Sequence, residues 1–318
     1  MRYFVTGCAG FIGSTLTDRL LSDGHEVVGY DNFSTGQEGF LASARRSANF
    51  RLVRGDLLDS AFLTASMSGT EFVFHLAANA DVRFGTEHPR KDLEQNTIAT
   101  HAVLEAMRRC RIRHIAFTST GSVYGESPSP PTREDAPFPV QTSLYGASKL
   151  AAEAFISAYC AGFGFQGYIF RLVSILGERY THGHIIDFYR QLQHDRSRLR
   201  VLGDGRQRKS YLYIHDCIDA MLLAIKQRCA GVSIINLGHD SYCAVNDSIG
   251  WICAALGAKP NIEYGGGYQG WIGDNPFIFL DSQRARALGW TPKLSIEHSV
   301  IRTVEYLRAN PDILDARR

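Results

Sequence analysis

The sequence predicts an α/β protein, with a doubly wound parallel sheet followed by a smaller α/β part. Through the first half of the chain, short β-rich runs alternate with segments of helical character. The runs are continuously apolar, as in parallel strands whose two faces are both covered by helices. After about Arg171 this alternation gives way to loops rich in Gly, His, Tyr and Arg, which are more often binding apparatus than core.

The expected elements follow one another as strand and helix. Strands are expected at Tyr3–Thr6, Glu26–Tyr30, Phe50–Arg54, Phe72–Leu76, His114–Ser119 and Gly167–Val173. Helices are expected at Phe11–Ser22, Ser60–Met67, Leu93–Cys110 and Tyr145–Ala161. Such an alternation indicates βαβ units and one parallel sheet. We expect a first domain over residues 1–170, with later contributions from about 211–240, and a second domain mainly over 171–318.

Composition and charge describe an ordinary globular chain. Of the 318 residues 45% are hydrophobic and 21% charged, and a net charge of +2 gives no basic surface for nucleic acid. The seven cysteines are scattered, so neither a metal site nor a disulfide framework is expected. No apolar run approaches the roughly 20 residues that span a membrane, and the first strand begins too early for a signal peptide. We therefore expect a soluble cytoplasmic protein.

The segment VTGCAGFIGS places three glycines between the first strand and the first helix. Gly7, Gly10 and Gly13 allow a tight turn, close approach of the backbone to a pyrophosphate, and binding of its charge at the helix N-terminus. Asp31 lies 18 residues beyond Gly13, at the end of the second strand. A carboxylate there accepts hydrogen bonds from ribose hydroxyls and repels a 2′-phosphate, which predicts NAD rather than NADP as the cofactor. Asp56, at the end of the third strand, could reach the adenine amino group or could simply cap a helix.

Hydroxyl groups, one tyrosine and one lysine form the candidate reaction site. The stretch TSTGSVYGE ends the fifth strand, and YGASK places Tyr145 and Lys149 at positions i and i+4 of a helix, on one face. An ammonium group beside a phenol favours the phenolate and so lowers the pKa of the tyrosine. The phenolate can then accept a proton from an alcohol while a hydride moves to NAD, with Thr120 bonded to the same alcohol. The alternative is an ordinary half-exposed helix face.

These motifs resemble the extended short-chain dehydrogenases/reductases, within the NAD-dependent epimerase/dehydratase family. The resemblance is carried by TGCAGFIGS, DNFSTG, HLAA, TSTGSVYG and YGASK. HLAANADVRF, THGHIIDF, LGDGRQRKSYLYIHD and LGWTP are further similar to the UDP-glucose 4-epimerase branch, and the likeness runs from residue 1 to about 307. It implies a Rossmann-type fold, a C-terminal substrate-binding domain, and a bound NAD that is reduced and reoxidised within one turnover.

The resemblance implies an isomerase that inverts C4 of a nucleotide sugar, with UDP-glucose and UDP-galactose as the first expectation. Tyr145 would deprotonate the C4 hydroxyl while hydride passes to NAD. The 4-keto sugar would rotate and take the hydride back on its other face. One proton and one hydride move and both return, so no second acid is needed. The family also implies a homodimer, in which the helices around Leu93–Cys110 and Tyr145–Ala161 of each subunit form a four-helix bundle.

The resemblance also implies binding residues, position by position. The expected NAD-binding residues are Gly7, Gly10, Phe11, Ile12, Gly13, Asp31, Asn32, Ser34, Thr35, Gly36, Asp56, Leu57, Leu76, Ala77, Ala78, Asn96, Thr118, Tyr145, Lys149 and Val173. The expected substrate-binding residues are Thr120, Ser122, Tyr145, Ser174, His184, Arg208 and Asp274. Arg208 matches an arginine that binds the nucleotide diphosphate, and a fixed cation suits that dianion. The alternatives are a surface arginine at 208 and an exposed loop histidine at 184.

The residues before VYG argue against two sister reactions of the family. Its 4,6-dehydratases carry an Asp-Glu pair where Gly121 and Ser122 stand, and its decarboxylases carry Glu in place of Ser122. A missing general acid should slow a dehydratase by about 10²–10⁴-fold. Two other classes of protein stay as alternatives. One is an NAD-dependent dehydrogenase of a non-nucleotide alcohol, and the other is a non-catalytic NAD-sensing or scaffold protein.

Departures from the family pattern fall on the sugar-nucleotide side. Ser174 replaces a common Asn, and Gln269 or Trp271 stands where the family tends to have Arg. Ile278 matches a position whose size is thought to admit or exclude a 2-acetamido group, and its own size is middling. UDP-N-acetylhexosamine and UDP-hexuronate are therefore the alternative substrates.

Overall fold

The computed structural model describes residues 1–227, 230–268, 270, 275 and 277–314. They form two compact units. The first unit comprises Met1–Thr120, Leu144–Arg171 and Leu222–Ile235, and the second comprises Gly121–Ser143, Leu172–Met221 and the chain from Asn236 on. The assignment of NAD binding to an N-terminal domain and of substrate binding to a C-terminal one stays a prediction.

The elements alternate between strand and helix for most of the chain. The strands are β1 (Arg2–Thr6), β2 (Glu26–Asp31), β3 (Phe50–Arg54), β4 (Phe72–His75), β5 (His114–Thr120), β6 (Gln166–Leu172), β7 (Ser174–Leu176), β8 (Arg198–Val201), β9 (Arg208–Lys209), β10 (Tyr211–Tyr213), β11 (Val232–Leu237), β12 (Cys243–Ala244), β13 (Asn261–Tyr264) and β14 (Phe277–Ile278). The helices are α1 (Phe11–Ser22), α2 (Ser60–Met67), α3 (Val82–Glu87), α4 (Pro89–Asp92), α5 (Ala99–Cys110), α6 (Leu144–Phe163), α7 (His184–His194), α8 (Ile214–Lys226), α9 (Val245–Leu256), α10 (Gln283–Ala287) and α11 (Ile296–Ala309). Short 3₁₀ turns cover Glu38–Leu41, Ala44–Arg46, Gly121–Tyr124 and Pro311–Leu314.

A seven-stranded parallel sheet flanked by helices confirms the predicted fold class. Its strand order is β11-β6-β5-β4-β1-β2-β3. β1 pairs with both β2 and β4, so Thr6 lies between Tyr30 and His75. Because the strands are parallel, the loops that follow β1, β2, β4 and β5 all begin at one edge of the sheet. This edge carries most of the residues that the sequence assigned to chemistry.

One expected helix is divided into two. The segment predicted as a helix from Leu93 to Cys110 begins as a π-helical turn, Leu93–Ile98, and only then continues as α5. The segment is helical throughout, as predicted, but its first six residues form a π-helical turn. Hydrophobic spacing cannot reveal the one-residue expansion of a π-turn, because the apolar face continues on either side of it. Asn96 lies in this turn.

The core of the first unit lies between the sheet and the helices α2, α5 and α6. Its fully buried members include Phe4, Val73, Leu104, Phe117 and Ile156. Burying a side chain of this size stabilises the fold by about 1.5–3 kcal/mol. The strand ends are thus held on a closely packed base, which gives the site above them a fixed geometry.

The described part of the second unit forms three small sheets and has its own packed helices. β7 pairs with β10, β13 pairs with β8, and β9 lies between β12 and β14. Asp216 accepts hydrogen bonds from the backbone N–H groups of Lys293 and Leu294, and its own backbone oxygen accepts from Trp290 Nε1. These contacts give the LGWTP motif a structural role. Among the helices that the structure describes, none has the length and apolar character to cross a membrane.

Candidate active site

The glycine loop between β1 and α1 has a backbone that tolerates no side chain at two positions. Gly7 has a left-handed φ of +70°, and a Cβ atom there would lie 2.8 Å from Ala77 N. A Cβ atom on Gly13 would collide with Gly7 O. Gly10 is the N-cap residue of α1, and since it has no side chain it cannot accept a hydrogen bond from the first N–H groups of the helix. Phe11 and Ile12 begin α1, and the N-terminus of a helix in this position can receive the charge of a phosphate.

Asp31 is the last residue of β2, and the loop that follows folds back over its carboxylate. Oδ2 accepts a hydrogen bond from Ala9 N at 2.9 Å, and Oδ1 accepts from Phe33 N at 2.8 Å. Burial raises the pKa of Asp31, and the two backbone bonds oppose that rise. A Cβ atom on Gly36 would lie 2.8 Å from Oδ1, so glycine is needed for the loop to pass this close. Each carboxylate oxygen keeps a further lone pair for a ribose hydroxyl.

Asp56 and Asn32 support each other at the ends of neighbouring strands. Asp56 Oδ1 accepts from Leu58 N at 2.9 Å and Oδ2 accepts from Asn32 Nδ2 at 3.0 Å. Asn32 Oδ1 in turn accepts from Ser34 N. Leu57 is buried, whereas Ser34 and Thr35 are more open. Phosphate-accepting amides, glycines that admit close approach and a carboxylate at the neighbouring strand end together fit a dinucleotide such as NAD.

The loop after β4 carries the expected cofactor residues Leu76, Ala77 and Ala78. Thr6 Oγ1 accepts hydrogen bonds from Leu76 N at 3.1 Å and Ala77 N at 3.2 Å. The side chain of one β1 residue therefore fixes the backbone of this loop where it crosses the glycine turn.

Asn96 is 1% exposed, and both ends of its amide bind protein groups. Its Oδ1 accepts from Asn79 N at 2.9 Å, while Nδ2 donates to Ser148 Oγ at 2.9 Å and lies 3.2 Å from Asn79 O and 3.3 Å from Asp92 Oδ1. The structure thus places Asn96 as a bridge between the loop after β4 and helix α6. A direct contact from its side chain to NAD stays a prediction.

The three residues expected to react lie together in the first unit. Thr120 ends β5 and its side chain hydrogen-bonds to Tyr145, in the first turn of α6. Lys149 is buried; its Nζ donates to the backbone oxygen of Thr118 at 2.8 Å and lies 4.4 Å from the centre of the Phe117 ring. The helix spacing and the strand end therefore converge as the sequence indicates.

Burial dominates the protonation of this group. It raises the pKa of Tyr145 to about 12, against the lowering effect of the bond from Thr120 and with a smaller rise from Asp92. It lowers the pKa of Lys149 to about 7, opposed by the charges of Glu153 and Asp92. The expectation that the pKa of the phenol is lowered is not met by the chain alone, because the loss of solvation outweighs the lowering effect of the bond from Thr120.

A buried ion pair one turn beyond Lys149 was missed by sequence reasoning. Arg171 and Glu153 are both almost fully buried and their side chains meet through Arg171 Nη2 and Glu153 Oε2 at 2.7 Å, while the Ser119 hydroxyl donates to Glu153. The pair joins β6 to α6, and the bond from Ser119 adds β5, one residue before Thr120. The signal available in the sequence was the spacing of Glu153, four residues after Lys149 on the same face of the helix.

In the second unit, Arg208 and Lys209 occupy opposite faces of the short strand β9. The Arg208 guanidinium lies 4.0 Å from the centre of the Phe277 ring and 5.5 Å from that of Tyr242. Lys209 is paired with Ile278, and its charge adds to the burial that lowers the pKa of His184 to about 4. Successive side chains in a strand point to opposite faces, so Lys209 and not Arg208 is the cation on the side of His184.

The other expected substrate residues are placed as follows. His184 begins α7, and its ring nitrogens lie 2.8 Å from Ser248 Oγ and 3.5 Å from Tyr211 Oη, so it is not an exposed loop histidine. Ser122 belongs to the 3₁₀ turn Gly121–Tyr124, and Ser174 is exposed at the start of β7. Val173 donates from its backbone N–H to Leu237 O at 3.1 Å. Asp274, Gln269 and Trp271 lie outside the described residues. Within the described chain, no cluster of His, Cys, Asp and Glu could hold a metal ion.

Comparison with known proteins places this chain among nucleotide-sugar enzymes. The sequence model of the NAD dependent epimerase/dehydratase family matches residues 3–238. A UDP-glucose 4-epimerase of Mycolicibacterium smegmatis is 34% identical, over 97% of this chain and 99% of that protein. The crystal structure of a UDP-glucuronic acid 4-epimerase of Bacillus cereus with UDP-glucuronic acid and NAD matches with a TM-score of 0.89 and 27% identity, over 97% of this chain and 99% of that one.

A third neighbour catalyses another reaction of this group. The crystal structure of DesIV, a dTDP-glucose 4,6-dehydratase of Streptomyces venezuelae with NAD bound, matches with a TM-score of 0.90 and 25% identity, over 98% of each chain. The neighbours crystallised with NAD and the NAD dependence of the family confirm the predicted cofactor. The family match covers most of the chain and agrees with the resemblance seen in its motifs. The chain therefore belongs to the NAD-dependent epimerase/dehydratase family.

Proposed function

We propose that this protein is a 4-epimerase of UDP-sugars, with UDP-glucose and UDP-galactose as its substrates. The observation that carries the proposal is the group formed by Thr120, Tyr145 and Lys149, with no carboxylic acid supplied by the turn that follows Thr120. Such a group can move one proton to and from one hydroxyl. Epimerisation at C4 needs that proton movement and a hydride that leaves and returns.

The side chains divide the work as follows. Tyr145 accepts the proton of the C4 hydroxyl and later gives it back, and Thr120, already bonded to the phenol, is in reach of the same hydroxyl. Bound NAD supplies the acceptor for the C4 hydride and a positive charge that favours the phenolate. Lys149, held on Thr118 O, contributes its own positive charge in its protonated form. Because burial alone holds the phenol protonated, Tyr145 becomes a base only when these positive charges are present.

The turn at Gly121 supports epimerisation over 4,6-dehydration. A Cβ atom on Gly121 would lie 3.2 Å from Ile278 Cγ2 and 3.4 Å from Leu280 Cδ1. A side chain of the size of aspartate would therefore require these two residues to move. Elimination of water needs a positioned acid, and this turn offers the hydroxyl of Ser122 instead.

We propose Lys209 as the cation that binds the nucleotide diphosphate, in place of Arg208. Its position on the same face of β9 as its neighbour Ile278, and close to His184, supports this choice. Arg208 instead stacks on the ring of Phe277. Asp274, Ser122 and Ser174 are kept as further proposed substrate residues. UDP-glucuronate is the second candidate substrate, and a cationic Lys209 suits either sugar nucleotide because both carry the same diphosphate.

We propose that the protein is a homodimer through α5 and α6. Several apolar side chains on α6 and on the π-turn before α5 are well exposed in the single chain, among them Ile98 (44%), Phe155 (41%) and Phe163 (47%). His101 and Tyr159 form edge-on ring contacts among them. A second copy of the same helices would cover this surface. Sedimentation giving only a species of the single-chain mass, 35.3 kDa, would refute the dimer.

A proton NMR time course of the purified protein tests the proposed reaction. UDP-galactose is supplied without added cofactor and again with NAD, and UDP-glucuronate and UDP-N-acetylglucosamine are run in parallel. We expect the anomeric signal of UDP-glucose to appear from UDP-galactose. Conversion of only the uronate or acetamido sugar would move the assignment to that substrate. A 4-keto-6-deoxy product, or no conversion of any sugar with NAD present, would refute the epimerase.

A further inference from the structure

A buried histidine that takes no part in the proposed reaction lies at the centre of a hydrogen-bonded chain in the first unit. His75 ends β4 and is 1% exposed. Its Nδ1 lies 2.8 Å from Thr6 Oγ1, and its Nε2 lies 2.9 Å from Thr100 Oγ1. Burial lowers the pKa of His75 to about 3, with a smaller contribution from the charge of Lys149, so the ring is neutral.

The direction of each hydrogen bond in this chain follows from its two ends. A hydroxyl has one hydrogen to donate and two lone pairs. Thr6 Oγ1 already accepts from Leu76 N and Ala77 N, so its hydrogen goes to His75 Nδ1. At the other end, Thr100 Oγ1 donates to Asn96 O at 2.6 Å, because a carbonyl oxygen can only accept. His75 Nε2 must therefore carry the ring proton and donate it to Thr100.

The chain joins the two parts of the site that must be aligned. At one end, the Thr6 hydroxyl accepts hydrogen bonds from the backbone of Leu76 and Ala77. These two residues belong to the loop after β4, which passes close to Gly7 of the glycine loop. At the other end, the Asn96 side chain binds Ser148 Oγ at 2.9 Å, and that hydroxyl donates to Tyr145 O at 2.8 Å.

We propose that His75 is a positioning residue, which through Thr6 and Thr100 sets the register between the cofactor-binding loops and the helix that carries Tyr145. Its part in turnover rests on the proposed function, whereas its part in NAD binding does not. His75 exchanges no proton with the substrate. It acts because a neutral imidazole of one tautomer is the only form that accepts from one hydroxyl and donates to the other across this distance.

The ring tautomer is the first test. Two-bond ¹H–¹⁵N NMR spectra of wild-type protein labelled at histidine, compared with those of His75→Gln to assign the ring, distinguish the two nitrogens. We expect Nε2 protonated and Nδ1 unprotonated, both with and without NAD. A ring protonated at Nδ1, or at both nitrogens, would overturn the chain of donors and the proposal with it.

The second test is a matched pair of substitutions at Thr100. Thr100→Val keeps the shape but removes the hydroxyl, which leaves His75 Nε2–H without its acceptor, whereas Thr100→Ser keeps the hydroxyl. Loss of one buried hydrogen bond is large enough to change an equilibrium by about tenfold. We expect Thr100→Val to raise the Kd for NAD, measured by calorimetry, and to lower kcat, each by about tenfold, with KM for the sugar nearly unchanged. Thr100→Ser should restore most of both.

The outcomes separate this proposal from the proposed reaction. A folded Thr100→Val protein with wild-type NAD affinity and kcat would show that the chain serves only the stability of the fold. If the wild type converts no UDP-sugar, the epimerase assignment fails, while the NAD affinities and the tautomer still decide the role of His75. If Thr100→Val does not fold, the role of His75 is tested by the wild-type tautomer and by Thr100→Ser. A serine variant that binds NAD tenfold more weakly than the wild type would also contradict the proposal.

Discussion

The surroundings of Tyr145 and those of Lys209 are built in different ways. Around Tyr145 the polar groups are buried and each is tied to a backbone atom or to a partner of fixed direction: Lys149 to Thr118 O, and Asn96 to Ser148. Such a region leaves its side chains little freedom, so a change there should alter the chemistry itself.

Around Lys209 the strands are short and have few residues to pair. β9, β12 and β14 have two residues each, and Arg208 lies on aromatic rings, one of which, that of Tyr242, is 43% exposed. A region with so few backbone bonds can exchange side chains without loss of the fold. With the roles proposed above, the difference between the two regions makes reaction type and substrate choice separable, so substitutions in the second region should change affinity more than kcat.

The largest effect is expected from Tyr145→Phe. The phenylalanine keeps the ring and removes the hydroxyl that we propose as the proton acceptor, so turnover should fall by about 10²–10⁴-fold. NAD affinity should stay close to that of the wild type, since the glycine loop and Asp31 are untouched. The measurement is kcat with UDP-galactose beside calorimetric titration with NAD. Near-normal turnover would mean that another group is the base.

A smaller effect, on KM for the UDP-sugar, is expected when Lys209 or Arg208 of β9 is replaced. Lys209→Gln should raise KM for the UDP-sugar by about 10–100-fold, the usual consequence of losing a hydrogen bond between charged groups, with little change in kcat. Arg208→Gln is the matched control, and its exposed guanidinium should matter by less than about threefold. The reverse order of the two KM values would restore Arg208 as the diphosphate ligand and would remove the role of Lys209.

The sequence predicts best those features that depend on residues close together in the chain. The bounds of α1 and α2 and the i, i+4 pair of Tyr145 and Lys149 depend on local spacing, and the structure has them as expected. The ends of the six predicted strands agree with the structure to within one residue. The choice between Arg208 and Lys209 depends on which face of a two-residue strand is turned toward His184. That face is decided by pairing with β12 and β14, distant in the chain, so the motif alone could not choose between the two cations, and the assignment of Arg208 stays a prediction.

The same limit applies to Glu153 and His75. Glu153 stands at a helical spacing from Lys149 that sequence reasoning could have used, but its partner Arg171 comes from another strand. His75 is visible in HLAA, yet the direction of its hydrogen bonds requires Thr6 and Thr100 to be brought to its two nitrogens. Partners supplied by tertiary packing are the part of this site that no single segment could predict.

The buried lysine should be visible in the pH dependence of stability. The pKa of Lys149 is about 7 in the fold and has an ordinary value of 10.5. Between these values the unfolded chain holds a proton that the folded chain lacks, so the free energy of unfolding should rise with pH by up to about 1.4 kcal/mol per unit. Below about pH 7 both forms are charged and the cost of burial is present in full.

Lys149→Met isolates that contribution. The variant removes the titrating group and keeps an unbranched side chain, so the free energy of unfolding of the NAD-free protein should exceed that of the wild type near pH 7. The gap should narrow steadily toward pH 9.5, as followed by urea unfolding. Lys226→Met, at an exposed lysine at the end of α8, is the matched control. Parallel curves for wild type and Lys149→Met would mean that Lys149 stays charged in the fold, with Glu153 and Asp92 outweighing its burial.

The smallest effect is expected at the contact between Gly121 and Ile278, both in the second unit. Gly121→Ala puts a methyl group 3.2 Å from Ile278 Cγ2, a contact tight enough to destabilise the protein by about 1 kcal/mol. Combined with Ile278→Ala, the same methyl group should fit, so a double-mutant cycle of urea unfolding should give a coupling of about 0.5–1 kcal/mol. Additive effects would mean that the turn yields without Ile278. If the coupling is found, a larger side chain at 121 can be accommodated only when the side chain at 278 is smaller. An acid at 121, of the kind used in dehydration, would then require a residue smaller than isoleucine at 278. The size of the residue at 278 would then limit which side chains position 121 can accept.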